Sequence, residues 1–95
     1  MELEIAITQI NNHAEALLKS SFMESEKSKK RVKTMLSLIN DYYEEHNREL
    51  LQKAYVIVVE LQSLKKLASS KDLSAVEFYI ISLLQQTHPI SNVVL

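Results

Sequence analysis

No glycine occurs anywhere in this chain of 95 residues, and its single proline, Pro89, lies beyond everything that patterns as regular structure. Tight turns and β-hairpins draw on glycine and proline for backbone angles that other residues resist. A chain without them has little means of building a sheet, so it reads as all-α, with helices joined by short polar connections.

One domain spanning residues 1–95, built on a single small core, is what this length allows. Apolar side chains make up 46% of the chain and charged ones 24%, which suits a folded bundle better than a disordered segment. With no cysteine, neither a disulfide nor a thiolate metal site is available, so packing alone must hold the core and a reducing compartment fits. The N-terminal Met1-Glu2-Leu3-Glu4 is acidic and amphipathic, unlike the basic-then-apolar start of an export signal. No window approaches the run of about eighteen apolar residues that a membrane helix needs, and a cytoplasmic location is expected.

Apolar periodicity divides the chain into four helical segments, roughly 2–20, 25–46, 48–68 and 75–88, followed by a tail at 89–95. Leu3, Ile7, Ile10, Ala14 and Leu17 recur at steps of four and three and line one stripe of the first. Ser21 with Glu24 resembles a capping box, and Ser25 or Ser28 also suits the start of the second helix, whose stripe is Val32, Met35, Leu36, Ile39 and Tyr42 or Tyr43. Asn47 is an N-cap for the third, with Leu50, Leu51, Ala54, Ile57, Val58, Leu61, Leu64 and Ala68 on its apolar face. Within it, Tyr55 to Val59 alone would suit a strand, but the longer helical period around it decides for helix. Ser74 and Glu77 form a capping box for the fourth, with Leu73 placed to staple on Phe78. Its stripe runs through Val76, Tyr79 or Ile80, Leu83 and Leu84, until Pro89 disfavours helix at His88. Four such segments with short links predict an antiparallel up-down-up-down four-helix bundle with a short C-terminal tail.

In that bundle the end of the first helix, the start of the second, the end of the third and the start of the fourth share one pole. Lys19, Lys27, Lys29, Lys30, Arg31, Lys33, Lys65, Lys66 and Lys71 gather there against Glu15, Glu24, Glu26, Glu60, Asp72 and Glu77, a net charge of +3. The other pole sets Glu2, Glu4, Asp41, Glu44, Glu45 and Glu49 against Arg48 and Lys53, a net charge of −4. The second helix carries cations at its N-terminal turns and carboxylates near its C-terminus, against its own dipole, at a cost of a few tenths of a kcal/mol per charge. Either this is an ordinary solvated helix start, or Lys27, Lys29, Lys30, Arg31, Lys33, Lys65 and Lys66 form a membrane-facing basic pole for anionic lipid. Nucleic acid is not the expected anion, because net charge is −1 and no helix-turn-helix or aromatic signature accompanies the lysines.

Catalytic chemistry finds no foothold. His13, His46 and His88 lie on three segments without paired spacing, and no glycine is present to form a phosphate loop, so no enzyme, cofactor, metal or small-molecule substrate is expected. Tyr42, Tyr43, Tyr55 and Tyr79 lie on or beside apolar stripes, at the core or at a groove edge.

From Arg31 to Leu84 the chain resembles the immunity proteins of class II bacteriocins, of the enterocin A immunity type. The resemblance runs through Val32, Leu36 and Ile39, then Asn47, Glu49, Leu50 and Ala54, then Leu61, Leu64, Leu67 and Ala68. It ends in Leu73-Ser74-Ala75-Val76-Glu77-Phe78-Tyr79-Ile80, one residue tighter between Val76 and Phe78 than the family pattern. The resemblance implies a cytoplasmic four-helix bundle that protects a producing cell from a pore-forming bacteriocin. Its implied partner is the toxin-occupied sugar-transporter receptor in the membrane, and its implied specificity element is the C-terminal half with the tail. Carried to this chain, the candidate partner-binding residues are Tyr79, His88, Pro89, Ile90, Asn92, Val93, Val94 and Leu95. A helical adaptor or secretion chaperone holding a partner helix is the alternative, favoured by Tyr55, Val56 and Val59 beyond the apolar stripe. A nucleic-acid-binding phage or plasmid regulator is a third class.

Overall fold

The computed structural model describes residues 2–86. Four α-helices account for nearly all of them: α1 Leu3–Lys19, α2 Glu26–Glu45, α3 Arg48–Gln62 and α4 Lys71–Gln86, with a short 3-10 turn at Leu67–Ser69 before α4. No strand occurs among the described residues. Each helix packs on the two beside it in a ring, α1 on α2 and α4, and α3 on α2 and α4, the arrangement of an antiparallel four-helix bundle. The pairs α1/α4 and α2/α3 make the more extensive contacts.

All four helices bury residues at the same 3-4-3 spacing. The positions are Ile7, Ile10, Ala14 and Leu17 on α1; Val32, Met35, Ile39 and Tyr42 on α2; Leu51, Ala54, Val58 and Leu61 on α3; and Leu73, Val76, Ile80 and Leu83 on α4. This is the seam spacing of helices crossing at about 20° with interdigitating side chains. Polar contacts between helices fix the register. Asn11 and Asn40 exchange amide hydrogen bonds of 3.4 and 3.3 Å across α1 and α2. Arg31 on α2 pairs with Glu60 on α3, and Arg48 Nη2 donates to the Leu84 carbonyl of α4 at 3.2 Å. That register stacks the sixteen positions in four layers of four. The two middle layers combine one alanine each, Ala54 and Ala14, with bulkier partners, so large and small side chains interdigitate.

Two readings of the sequence resolve within this seam: Tyr42 is buried and Tyr43 exposed, and Ile80 is buried with Tyr79 half-buried. The segment Tyr55 to Val59 is helical, as the longer period requires.

The links settle one open choice and differ from expectation at two places. Of the three serines offered for the start of α2, Ser25 is the cap and Ser21 is not, the Ser25 Oγ accepting from the Lys27 and Ser28 amides at 3.2 and 3.4 Å. α3 ends at Gln62 instead of running to 68, because the Ser63 hydroxyl donates to the Glu60 carbonyl at 2.6 Å and competes with the helix ladder. The chain then turns so that Leu67 is buried, while Leu64 and Ala68 face solvent. α4 begins at Lys71 rather than 75, and its cap is Ser70. That residue is extended, its Oγ accepts from the Leu73 amide at 3.2 Å, and its carbonyl accepts from the Ser74 amide at 3.1 Å. Ser74 is therefore an exposed position within the helix, and Leu73 lies in the core instead of stapling on Phe78, which is 58% exposed. The earlier start adds Leu73 to the seam and puts Asp72 in the first turn, where the helix dipole favours a carboxylate.

The candidate basic pole and its surroundings

Antiparallel packing sets the α1–α2 connection beside the α3–α4 connection. Lys66 Nζ in the second reaches Glu24 in the first at 2.6 Å. The Glu24 carboxyl is held below its ordinary pKa, first by the hydrogen bond from Lys66 and then by that ammonium charge. Arg31 pairs with Glu60 one turn further along, and Lys29 pairs with Glu26 on its own helix at 3.4 Å.

The pole is thus partly neutralised from within, and the cations divide into two sets. Arg31 and Lys66 tie separate elements of the pole together, and Lys29 is paired within α2. Lys27, Lys30, Lys33 and Lys65 are exposed and make no ion pair among the described residues, so their charges face solvent. Lys27 and Lys30 edge an open depression between α2 and α3 with Arg31, Thr34 and Ile57. Beside it, a second depression is lined by Phe22, Leu64 and Leu67 together with Glu24, Lys65 and Lys66.

Two large apolar side chains therefore stand out at the basic pole, Phe22 at 36% and Leu64 at 44% exposure. Neither was legible as exposed. Phe22 belongs to no periodic segment, and Leu64 keeps the α3 period although the helix stops two residues before it.

Tyr79 sits half-buried on α4, its ring stacked on His13 of α1 with centroids 6.4 Å apart and on the edge of Phe78 at 5.2 Å. His13 Nδ1 in turn lies 2.9 Å from Asp72 Oδ1, so His13, Asp72 and Tyr79 form a small polar cluster across α1 and α4. This cluster is not legible in the sequence, because His13 lies fifty-nine positions from Asp72 along the chain. The remaining candidate partner-binding residues, His88, Pro89, Ile90, Asn92, Val93, Val94 and Leu95, lie outside the described residues.

No group of three or more His, Asp or Glu side chains among the described residues is placed to hold a metal ion. No described helix is long and apolar enough to cross a membrane. Comparison with models of protein families, with curated proteins and with solved structures finds no match to this chain.

Proposed function

We propose that this chain is a bacteriocin immunity protein of the enterocin A immunity type, working by binding rather than by catalysis. It acts from the cytoplasmic face on the sugar-transporter receptor occupied by a pore-forming class II bacteriocin, with its basic pole toward anionic lipid. The observation that carries this reading is where the family-like residues fall. Val32, Ile39, Ala54, Leu61, Val76 and Ile80 lie on the buried seam, and Asn47 caps α3, accepting from the Glu49 amide at 3.0 Å. The fold that the resemblance implies and the fold observed are the same. Phe78 of the same motif is displayed at the surface, with the half-buried Tyr79 beside it, which suits recognition by α4.

The test is expression of the full chain in a bacteriocin-sensitive strain, challenged with a broad panel of class II bacteriocins. Protection against one or a few members supports the reading. Protection against none, with the protein well expressed, removes it.

A second reading, a helical adaptor, rests on Val56 and Val59, which stand 56% and 45% exposed on the outer side of α3. Affinity capture from membranes with and without bacteriocin separates the two. Capture of the transporter only in the presence of toxin supports immunity, and capture of a helical partner regardless of toxin supports the adaptor.

A further inference from the structure

We infer that the tip formed by the α1–α2 and α3–α4 connections docks on anionic bilayers by inserting Phe22 and Leu64 among the headgroups. This deepens the reading of the basic pole as a membrane contact and rests on it. Electrostatics alone would give a weak and shallow contact, because much of the pole's positive charge is spent on Glu24, Glu26 and Glu60. The tip supplies a second source of affinity. Its two large apolar side chains line one depression although they come from separate connections, and the Lys66–Glu24 pair holds those connections side by side. The fold had an apolar residue to seal the same stretch, since Leu67 is 2% exposed, yet Leu64 stays out.

The surroundings select the occupant. Lys65 lines the same depression as Phe22 and Leu64, Lys27 lines a neighbouring one with Leu64, Lys30 follows one turn along α2, and none of the three makes an ion pair among the described residues. Apolar groups ringed by lysine match the boundary between acyl chains and anionic headgroups. A protein partner groove has no need of the lysines, and a soluble anion has no need of Phe22 and Leu64. The other exposed apolar side chains lack this combination. Ile5 and Tyr43 stand at the pole whose net charge is −4, Val56 and Val59 lie on the outer side of α3, and Phe78 lies on α4 outside the depression that Phe22 and Leu64 share. The opposed charges of the two poles also orient the molecule tip-first toward a negative surface.

The chain has no tryptophan, so Phe22→Trp and Leu64→Trp each introduce a lone fluorescent reporter, and Val56→Trp serves as a control on the flank. The probes are vesicles of phosphatidylglycerol with phosphatidylcholine, and of phosphatidylcholine alone. The expected result is a blue shift at positions 22 and 64 with the anionic vesicles, reversed by salt, and none at 56. Phe22→Ser with Leu64→Ser should lower partitioning at least about tenfold. Replacing Lys27, Lys30 and Lys65 by Gln should lower it by a few-fold per lysine and abolish the preference for anionic lipid. Unchanged helicity by circular dichroism ties each loss to the surface. Failure to bind the anionic vesicles at low salt overturns the inference, as does binding with the shift at position 56 and none at 22 or 64. Vesicle binding of the expected kind without protection of a sensitive strain leaves it standing and removes the immunity role. Protection without vesicle binding removes the tip docking alone.

Discussion

Three side chains carry local chemistry that can be tested one at a time, and the first replaces a glycine this sequence lacks. His46 terminates α2 in the left-handed region, at φ 58 and ψ 26, where its amide donates to the Tyr42 carbonyl at 2.7 Å. Glycine is the usual occupant of such a position, and a residue with a Cβ carries strain there. His46→Gly should therefore stabilise the protein by about 0.5–1 kcal/mol, read as a higher urea midpoint at unchanged slope. Ser70, which is 2% exposed, caps α4. Ser70→Ala should cost about 1 kcal/mol or somewhat more, while Ser74→Ala should change stability little, since position 74 is an exposed helix site. Equal losses from the two would return the start of α4 to residue 75. Glu24 supplies a pH signature. Its folded-state pKa lies below the ordinary glutamate value, so its stabilising contribution is present above about pH 4.3 and is lost as pH falls through the depressed value. Glu24→Gln should then lower the thermal midpoint slightly at pH 7, and the difference from the native chain should shrink as pH falls below the ordinary carboxylate range.

At the scale of helices, the core was legible because one spacing recurs four times. Positions such as Val32, Met35, Ile39 and Tyr42 announce a buried seam through periodicity alone, which depends only on the shape of a helix and the cost of exposing apolar surface. The ends were less legible. Several serines lie in the links, and any of them offers a capping hydroxyl. The choice of Ser25 over Ser21 and of Ser70 over Ser74 was made by which start brings Met23 and Leu73 into the core, a tertiary condition that no local motif contains. Leu64 and Phe78 misled for the same reason, since each fits a helical pattern or motif but faces away from the other helices. The contrast is measurable. Ile80→Ala, at a fully buried middle layer, should cost about 2–5 kcal/mol, whereas Phe78→Ala, two residues away and 58% exposed, should cost well under half as much. Comparable losses by urea denaturation would mean that Phe78 packs against something in the native state.

Across the whole molecule, charge polarity and the antiparallel fold are one fact, because only this topology brings the lysines of α2 beside those that follow α3. The polarity was visible in the sequence once the topology was assumed, but the pairing that divides structural from free cations was not, since it depends on which carboxylate each neighbouring helix presents. The tail raises the last question at this scale. Ile90, Val93, Val94 and Leu95 give it more apolar surface than a solvated linker carries, so it either contributes to the stability of the bundle or serves recognition. A chain ending at His88 separates the two. Under the immunity reading, the shortened protein keeps its helicity and melting temperature but no longer protects a sensitive strain against the bacteriocin that the full chain resists. Restoring residues 89–95 with Val93, Val94 and Leu95 changed to Ser should leave folding intact and protection absent, which ties the loss to apolar side chains rather than to length. If the shortened chain melts several degrees lower and loses protection in proportion, the tail belongs to the core, and choice of bacteriocin must lie on α4, where Phe78 stands at the surface.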